Sequence, residues 1–306
     1  MKENTYAPIA LFAYNRPLHL QRTVEALKKN PESGQSDLII YSDGPKNEND
    51  AISVAAVRKY ISTIKGFKSI RTVGREANIG LAKSVIAGVT EIIQQYGKII
   101  VVEDDLVTSP YFLKFMNDGL TVYEKNEQVV SIHGYVYPAK AEMPQTFFMR
   151  GADCWGWATW KRGWDLFEPD ENKLLQHVEL HHLVKLLDYN GSFSYTNMLR
   201  KQALGKIDSW GVRWHVATFI HDKLSLFPGK SLVQNIGNDS SGTHLGTFHE
   251  MDVELYNRPI EITDVPLEES EFVRKEFERY FWSIKRNFIL QSLGKLKKTL
   301  RLLLNR

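Results

Sequence analysis

Among the 306 residues there is one cysteine, Cys154. A lone thiol excludes an intramolecular disulfide framework and a cysteine-rich zinc site, and it fits a reducing cytosol. No uncharged apolar run reaches the ~18 residues that a membrane span needs. The first residues, MKENTYAPIALF, hold only a short apolar stretch broken by Pro8, so the apolar core and cleavage site of a secretory signal are missing. Two phosphate-binding fingerprints are absent as well. No G-x-G-x-x-G follows the first apolar run, and no G-x-x-x-x-G-K-[ST] occurs anywhere, which leaves a dinucleotide fingerprint and a P-loop unsupported. The chain is 43% hydrophobic, 25% charged and 11% aromatic, which excludes disorder and low-complexity fibres. Its length suits one large domain or two ordinary ones.

Net charge is small, +3, but unevenly spread. Lys285, Arg286, Lys295, Lys297, Lys298, Arg301 and Arg306 crowd the last 22 residues, with no acid among them. The whole chain's +3 less these seven leaves the body at −4. A basic body that would suit nucleic acid is therefore lacking, and no nucleic-acid partner is expected.

The first half alternates between short apolar runs and helical stripes. PIALFAY (8–14) ends at Asn15-Arg16-Pro17, and Leu20, Val24 and Leu27 then follow at helical spacing. DLIIY (37–41) closes on Ser42-Asp43-Gly44-Pro45, before a stripe of Val54, Val57, Ile61 and Ile64. A third strand spans 68–73, with Asn78-Ile79-Gly80 and the stripe Val85, Val89, Ile92 and Ile93 after it. KIIVV (98–102) is apolar throughout, as expected of a parallel strand covered on both faces, and it runs into Glu103-Asp104-Asp105. Four β-α units predict a doubly wound α/β sheet with right-handed crossovers and ligands beyond the carboxyl ends of the strands. The polar ends all gather on that edge.

Three consecutive carboxylates at the end of a buried strand are costly unless a positive group shares the site. Mg²⁺ or Mn²⁺ suits them, because such ions take oxygen ligands and usually bind one or two carboxylates plus substrate phosphates. Strand alternation would turn Glu103 and Asp105 one way and Asp104 the other, so the three could not all bind one ion. A solvated acidic loop capping the next helix is the plain alternative.

Together these segments resemble the GT-A glycosyltransferases. They are Asn-Arg-Pro after the first strand, Ser-Asp-Gly after the second, Arg-Glu-Ala-Asn-Ile-Gly after the third, and then Glu-Asp-Asp. VVEDDLVTSPYFLKFM is similar to the Glu-Asp-Asp segment of inverting N-acetylglucosaminyltransferase I-like enzymes and bacterial family-2-like relatives, and the resemblance spans about residues 7–248. It implies a GT-A (Rossmann-like) mostly parallel sheet with helices on both faces. It also implies a nucleotide-sugar donor, UDP-sugar favoured, and Mn²⁺ or Mg²⁺. Tyr14, Asn15, Arg16, Asp43, Arg75, Asn78, Glu103 and Asp104 would bind the donor, with Asp43 on the base, Arg75 on base and ribose, and Asp104 near ribose and sugar. Asp105 would hold the metal, and His244, in the polar loop 237–244, is the second candidate ligand.

Six of seven tryptophans lie between Trp155 and Trp214. Most are expected to be core, since aromatic side chains dominate packing, while Trp155 and Trp210, with Asp153, are the candidates for the acceptor sugar. An inverting transfer needs a carboxylate that takes the acceptor's proton. Ile207-Asp208-Ser209-Trp210 looks like the family's Trp-Asp-Asp-Trp region, which makes Asp208 the candidate base, although Ile207 and Ser209 depart from the pattern. Asp208 as N-cap of a helix over 209–222 is equally compatible, and Asp153 is the rival base.

Three regions are expected: 1–135 for the nucleotide sugar, 136–265 for the acceptor and base within the same domain, and 266–306 as a helical tail. That tail places Phe288, Ile289, Leu293, Leu296, Leu300, Leu303 and Leu304 on one face with basic residues around it. Such a face suits an anionic membrane surface, where a lipid-linked saccharide acceptor would lie, and equally the body or a homodimer. A cytoplasmic location, peripheral on the inner face of the membrane, follows from that reading. The competing functions are a nucleotidyltransferase that makes nucleotide sugars and a non-catalytic carbohydrate-binding protein.

Overall fold

The structure, a computed structural model, describes residues 6–239 and 249–304. The first half is a run of β-α steps. Strand β1 (Ile9–Ala13) is followed by helix α1 (Pro17–Leu27), which starts on Pro17, whose fixed φ suits a first helical position. Strand β2 (Asp37–Ser42) leads to α2 (Glu48–Ile61), capped by Asn47, whose side chain accepts from the Asp50 N–H at 3.1 Å. Strand β3 (Ser69–Gly74) precedes α3 (Leu81–Tyr96), which Gly97 ends with a left-handed φ of 75°. Strand β4 (Lys98–Glu103) completes a parallel set in the order β3-β2-β1-β4.

Alternation along these strands builds two cores. Ile9, Leu11, Leu38, Ile40, Ile100 and Val102 pack on one face with Leu20, Val24 and Leu27 of α1 and Val57 and Ile61 of α2. Ala10, Phe12, Ile39, Tyr41, Ile99 and Val101 meet Ala82, Val85, Val89, Ile92 and Ile93 of α3 on the other. The doubly wound arrangement read from the sequence is therefore present, and each fully buried Val, Leu or Ile contributes about 1.5–3 kcal/mol.

The second half extends the same sheet. After β5 (Leu106–Thr108) and α4 (Phe112–Val122) come β6 (Val129–His133), β7 (Thr146–Arg150) and β8 (Trp157–Trp160). Helices α5 (Lys161–Trp164), α6 (Glu171–Leu180), α7 (Val184–Leu187), α8 (Tyr195–Ala203) and α9 (Trp210–Ile220) follow, then β9 (Leu224–Pro228), β10 (Val233–Asn235) and α10 (Glu271–Leu304). The eight-stranded order is β3-β2-β1-β4-β8-β6-β9-β7, with β8 and β7 running against the other six. β5 and β10 form a separate antiparallel pair that brings Asn235 opposite Leu106, beside the acidic run.

The last helix begins as part of the body. Val273, Phe277 and Phe281, one turn apart, are buried with Val136, Phe147, Met149, Tyr189 and Phe227. The region 266–306 therefore joins the body through its first three turns. Among the described residues no helix is long and apolar enough to cross a membrane. The side chains assigned to the tail's apolar face, from Phe288 onward, lie outside the described residues.

Candidate active site

The strand exits converge on a cavity of about 290 Å³. Tyr14, Asn15 and Arg16 reach it from β1, Asp43 from β2, Asn78 from the loop before α3, and Glu103 and Asp104 from β4. Seven of the eight expected donor residues thus line one space. Arg75 does not. Its N–H is donated to the Ser42 carbonyl, its own carbonyl accepts from Arg58, and its side chain lies within electrostatic reach of Glu91. Lys46, Asp50, Leu81 and Ser84, none singled out in the sequence, complete the wall.

Asp43 acts first as a clamp. One carboxylate oxygen accepts from the N–H groups of Gly44 at 2.9 Å and Ile79 at 3.0 Å, and the other from Gly80 at 3.0 Å. Asn78 returns its amide to the Gly44 carbonyl at 3.0 Å. A Cβ on Gly44 would stand 2.5 Å from the Ala77 backbone, so only glycine lets β2 and the loop approach this closely. Across the mouth, the Tyr14 hydroxyl donates to Asp50 at 2.6 Å and the Asn15 amide to the same carboxylate at 3.2 Å. Burial and this bond push the Tyr14 phenol up to about 12, while the bond from Tyr14 holds Asp50 below its ordinary value.

At the β4 end, alternation stops with the strand. Because β4 ends at Glu103, Asp104 and Asp105 turn together onto Arg16, whose Nη2 lies 2.6 Å from Asp104 and 2.8 Å from Asp105. This corrects the expectation that they face opposite ways. Burial works against the Arg16 charge, but the two carboxylates hold it above its ordinary value. Glu103, which has no salt bridge among the described residues, is pushed up to about 8 by burial and then by Asp105 and Asp104, against Arg16 and a hydrogen bond from Trp210. Burial also raises Asp104. One buried oxygen of Asp105, Oδ1, has no hydrogen-bond partner among the described residues.

Asp104 and Asp105 share one guanidinium beside the buried Glu103 acid, and the site is short of positive charge. Asp105 therefore fits a hard cation, although no group of three ligating side chains is assembled among the described residues. His244 lies outside the described residues. Residues 236–239, just after β10, lie beside this corner: Ile236 donates its N–H to the Asp105 carbonyl at 2.8 Å, and His19 pairs with Asp239 at 3.1 Å. At Gly237 a Cβ would sit 2.2 Å from Asp105 Oδ2 and 2.9 Å from Arg16 Nη1. A side chain there would have to push the Asp105–Arg16 pair aside.

The raised Glu103 carboxyl sets a sign for stability in metal-free buffer. Its folded-state value lies above the ordinary ~4.3 of an unfolded chain, so its contribution is whole below about pH 4 and is lost as pH rises toward 8. Glu103→Gln is expected to match the wild type in melting temperature near pH 4. Near pH 8.5 it should exceed it by at least ~1 kcal/mol, about 2–4 °C. Equal melting curves at both pH values would show that burying this carboxylate costs nothing.

The acceptor-side candidates divide by burial. Trp210 is 4% exposed and stacks on Trp157 with ring centroids 5.5 Å apart, in a cluster with Trp164 and Trp214. It is a core residue whose indole serves Glu103, which differs from the sugar-facing place expected for it. Trp155 stays partly open, edge-on to Tyr135 at 4.7 Å. Asp153 is partly buried, accepting from the Cys154 N–H at 2.7 Å and the Tyr137 hydroxyl at 3.0 Å, and burial raises its carboxyl. The Cys154 thiol beside it is raised by burial and by Asp153, Glu103 and Asp105, which places this loop at the β4 end. Asp208 has a side chain 60% exposed, with one oxygen 3.3 Å from Arg213. The cap of α9 is Ser209, whose Oγ accepts from the Val212 N–H at 3.3 Å, so the capping alternative for Asp208 is corrected.

No family model and no curated protein matches this chain. Solved structures with partial likeness include the mannosyltransferase PcManGT from Pyrobaculum calidifontis in complex with GDP-Man and Mn²⁺. Its TM-score is 0.40 at 7% identity, over 72% of this chain and 70% of that one. A UDP-glucose pyrophosphorylase complexed with UDP-glucose gives a TM-score of 0.32 at 14% identity, over 54% of this chain and 82% of that one. At these scores neither neighbour bears on function, and the cavity itself must do so.

Proposed function

We propose that this chain is a metal-dependent inverting glycosyltransferase of the GT-A type. It would move a hexosyl or N-acetylhexosaminyl group from a nucleotide sugar, UDP-sugar favoured, to a saccharide in surface polysaccharide or glycoconjugate synthesis. The observation that carries this reading is the charge of the cavity at the strand exits. Asp43, Asp50 and Asp104 line it against Arg16 and Lys46, and Arg16 is already held by Asp104 and Asp105. A diphosphate would be repelled there without a divalent cation, and Asp105 has the free buried oxygen to hold one.

When bound, Mn²⁺ or Mg²⁺ would supply Lewis-acid stabilisation of charge on the departing diphosphate. Arg16 orients the Asp104–Asp105 pair, and Asp43 keeps the loop before α3 against β2. Asp208 takes the proton of the acceptor hydroxyl, whose oxygen forms the new bond to the sugar as the bond to phosphate breaks. Trp155 offers an apolar face to the acceptor ring. Where that acceptor is lipid-linked, the basic residues 285–306 rest on an anionic membrane surface.

The nucleotidyltransferase alternative draws less support, because the first β-α turn is Asn15-Arg16-Pro17 instead of a glycine-rich basic loop. A melting-temperature screen of UDP-, GDP- and TDP-sugars tests the proposal. With Mn²⁺ present and donor at 100 times its Kd, the cognate donor should stabilise by ~2.7 kcal/mol, on the order of 5 °C, and EDTA should remove the gain. No shift with any donor would sink it, and pyrophosphate release from a nucleoside triphosphate would favour the alternative.

A further inference from the structure

The cavity has two ends. Arg16, Glu103 and Asp104 mark the β4 end, and the exit of β2 and the start of α3 mark the other. At that second end stands Leu81, the first residue of α3. It is 49% exposed, whereas Ala82, Val85, Val89, Ile92 and Ile93 further along the helix are buried. A single exposed leucine on a convex surface needs no explanation. On the wall of this cavity, beside Phe12 and Ala13, it adds to the apolar surface that ligand sites combine with a few polar groups.

The polar groups around Leu81 are largely committed. Asp43 accepts three backbone N–H groups, Asn78 gives its amide to Gly44, and the Tyr14 hydroxyl donates to Asp50. Lys46 is different. Its ammonium lies 5.7 Å from the centre of the Tyr14 ring and makes no salt bridge among the described residues, so its donors are open to a ligand.

We propose that Leu81 is the platform on which the donor's nucleobase packs, with the Lys46 ammonium donating to a carbonyl on the edge of that ring. This rests on the nucleotide-sugar reading and orients the ligand within it. The nucleoside lies toward β2 and α3, and the diphosphate toward Arg16 and Asp105. A flat heteroaromatic ring can cover the open half of Leu81, while a bare diphosphate has nothing to place there.

Calorimetric binding of UDP, GDP and inorganic pyrophosphate, each with Mn²⁺, separates the two ends. Leu81→Ala should weaken whichever nucleotide binds by ~10-fold, because the base no longer covers an isobutyl group, and change pyrophosphate binding less than ~2-fold. Leu81→Met should stay near wild type. Leu81→Gln, close to leucine in volume, should weaken the nucleotide as alanine does, which covers the case of an alanine variant that folds poorly. Lys46→Met should weaken the nucleotide and spare pyrophosphate. Unchanged nucleotide affinity in Leu81→Ala and Leu81→Gln, or an equal loss for pyrophosphate, overturns the platform. A wild type that binds neither UDP nor GDP instead overturns the nucleotide-sugar reading, and the platform with it.

Discussion

Asp105→Asn is expected to lower sugar transfer by on the order of 10³-fold and to abolish the Mn²⁺-dependent part of nucleotide binding. A metal's stabilisation of a leaving group is worth several kcal/mol, and each 1.36 kcal/mol is tenfold in rate. Asp105 carries that weight because its Oδ2 is held by Arg16 while its Oδ1 is buried and without a partner among the described residues. An asparagine keeps the shape, and its carbonyl can still accept from Arg16, so the fold should survive and the melting temperature fall little. What it loses is the anionic oxygen a hard cation needs. Transfer rates at saturating Mn²⁺, together with melting shifts for UDP with and without the metal, give the check. A variant with wild-type turnover would mean that the acidic corner is structural and that Arg16 alone balances it.

The parallel half is readable because its chemistry is local. A strand buried on both faces is an apolar run of five or six residues, and each such run here ends in Asn, Asp, Gly or Pro, so the exits that build the cavity read as punctuation. β7 and β8 have no such signature. Trp-Ala-Thr-Trp of β8 is a short aromatic run whose strand state comes from the neighbours β4 and β6. The site divides the same way. Tyr14, Asn15, Arg16, Asp43 and Glu103 stand at strand ends, whereas Lys46, Asp50 and Leu81 sit at helix starts, where their types read as an ordinary solvated face. The turning of Asp104 onto Arg16 beside Asp105 depends on β4 stopping at Glu103, which composition does not mark. The core place of Trp210 is hidden for a related reason: an indole in a motif does not reveal that it stacks on Trp157 in a cluster with two further tryptophans. Spacing is equally silent about Gly237, because its role is a close approach to residues more than a hundred positions away.

Asp208→Asn is expected to reduce turnover by ~10²–10⁴-fold while leaving donor binding within about twofold of wild type, as for removal of a general base. The environment of Asp208 suits that role in one respect and strains it in another. Arg213, itself nearly buried, fixes one oxygen and leaves the rest of the carboxylate open toward solvent, where an acceptor hydroxyl could reach it. Yet 60% side-chain exposure means that the acceptor must itself exclude the water. Asp153 has the opposite balance. Its carboxylate already accepts from the Cys154 N–H and the Tyr137 hydroxyl, and burial raises it, which favours proton uptake but leaves fewer lone pairs for an acceptor. Paired kinetics resolve the two. With Asp208 as base, the kcat of Asp208→Asn collapses while KM for donor holds, and Asp153→Asn mainly raises KM for the acceptor. If instead Asp153→Asn loses kcat and Asp208→Asn remains active, the proton goes to Asp153. The Tyr137 hydroxyl then acts as its positioning group, and Tyr137→Phe should move the pH dependence of kcat, which a purely structural hydroxyl would leave in place.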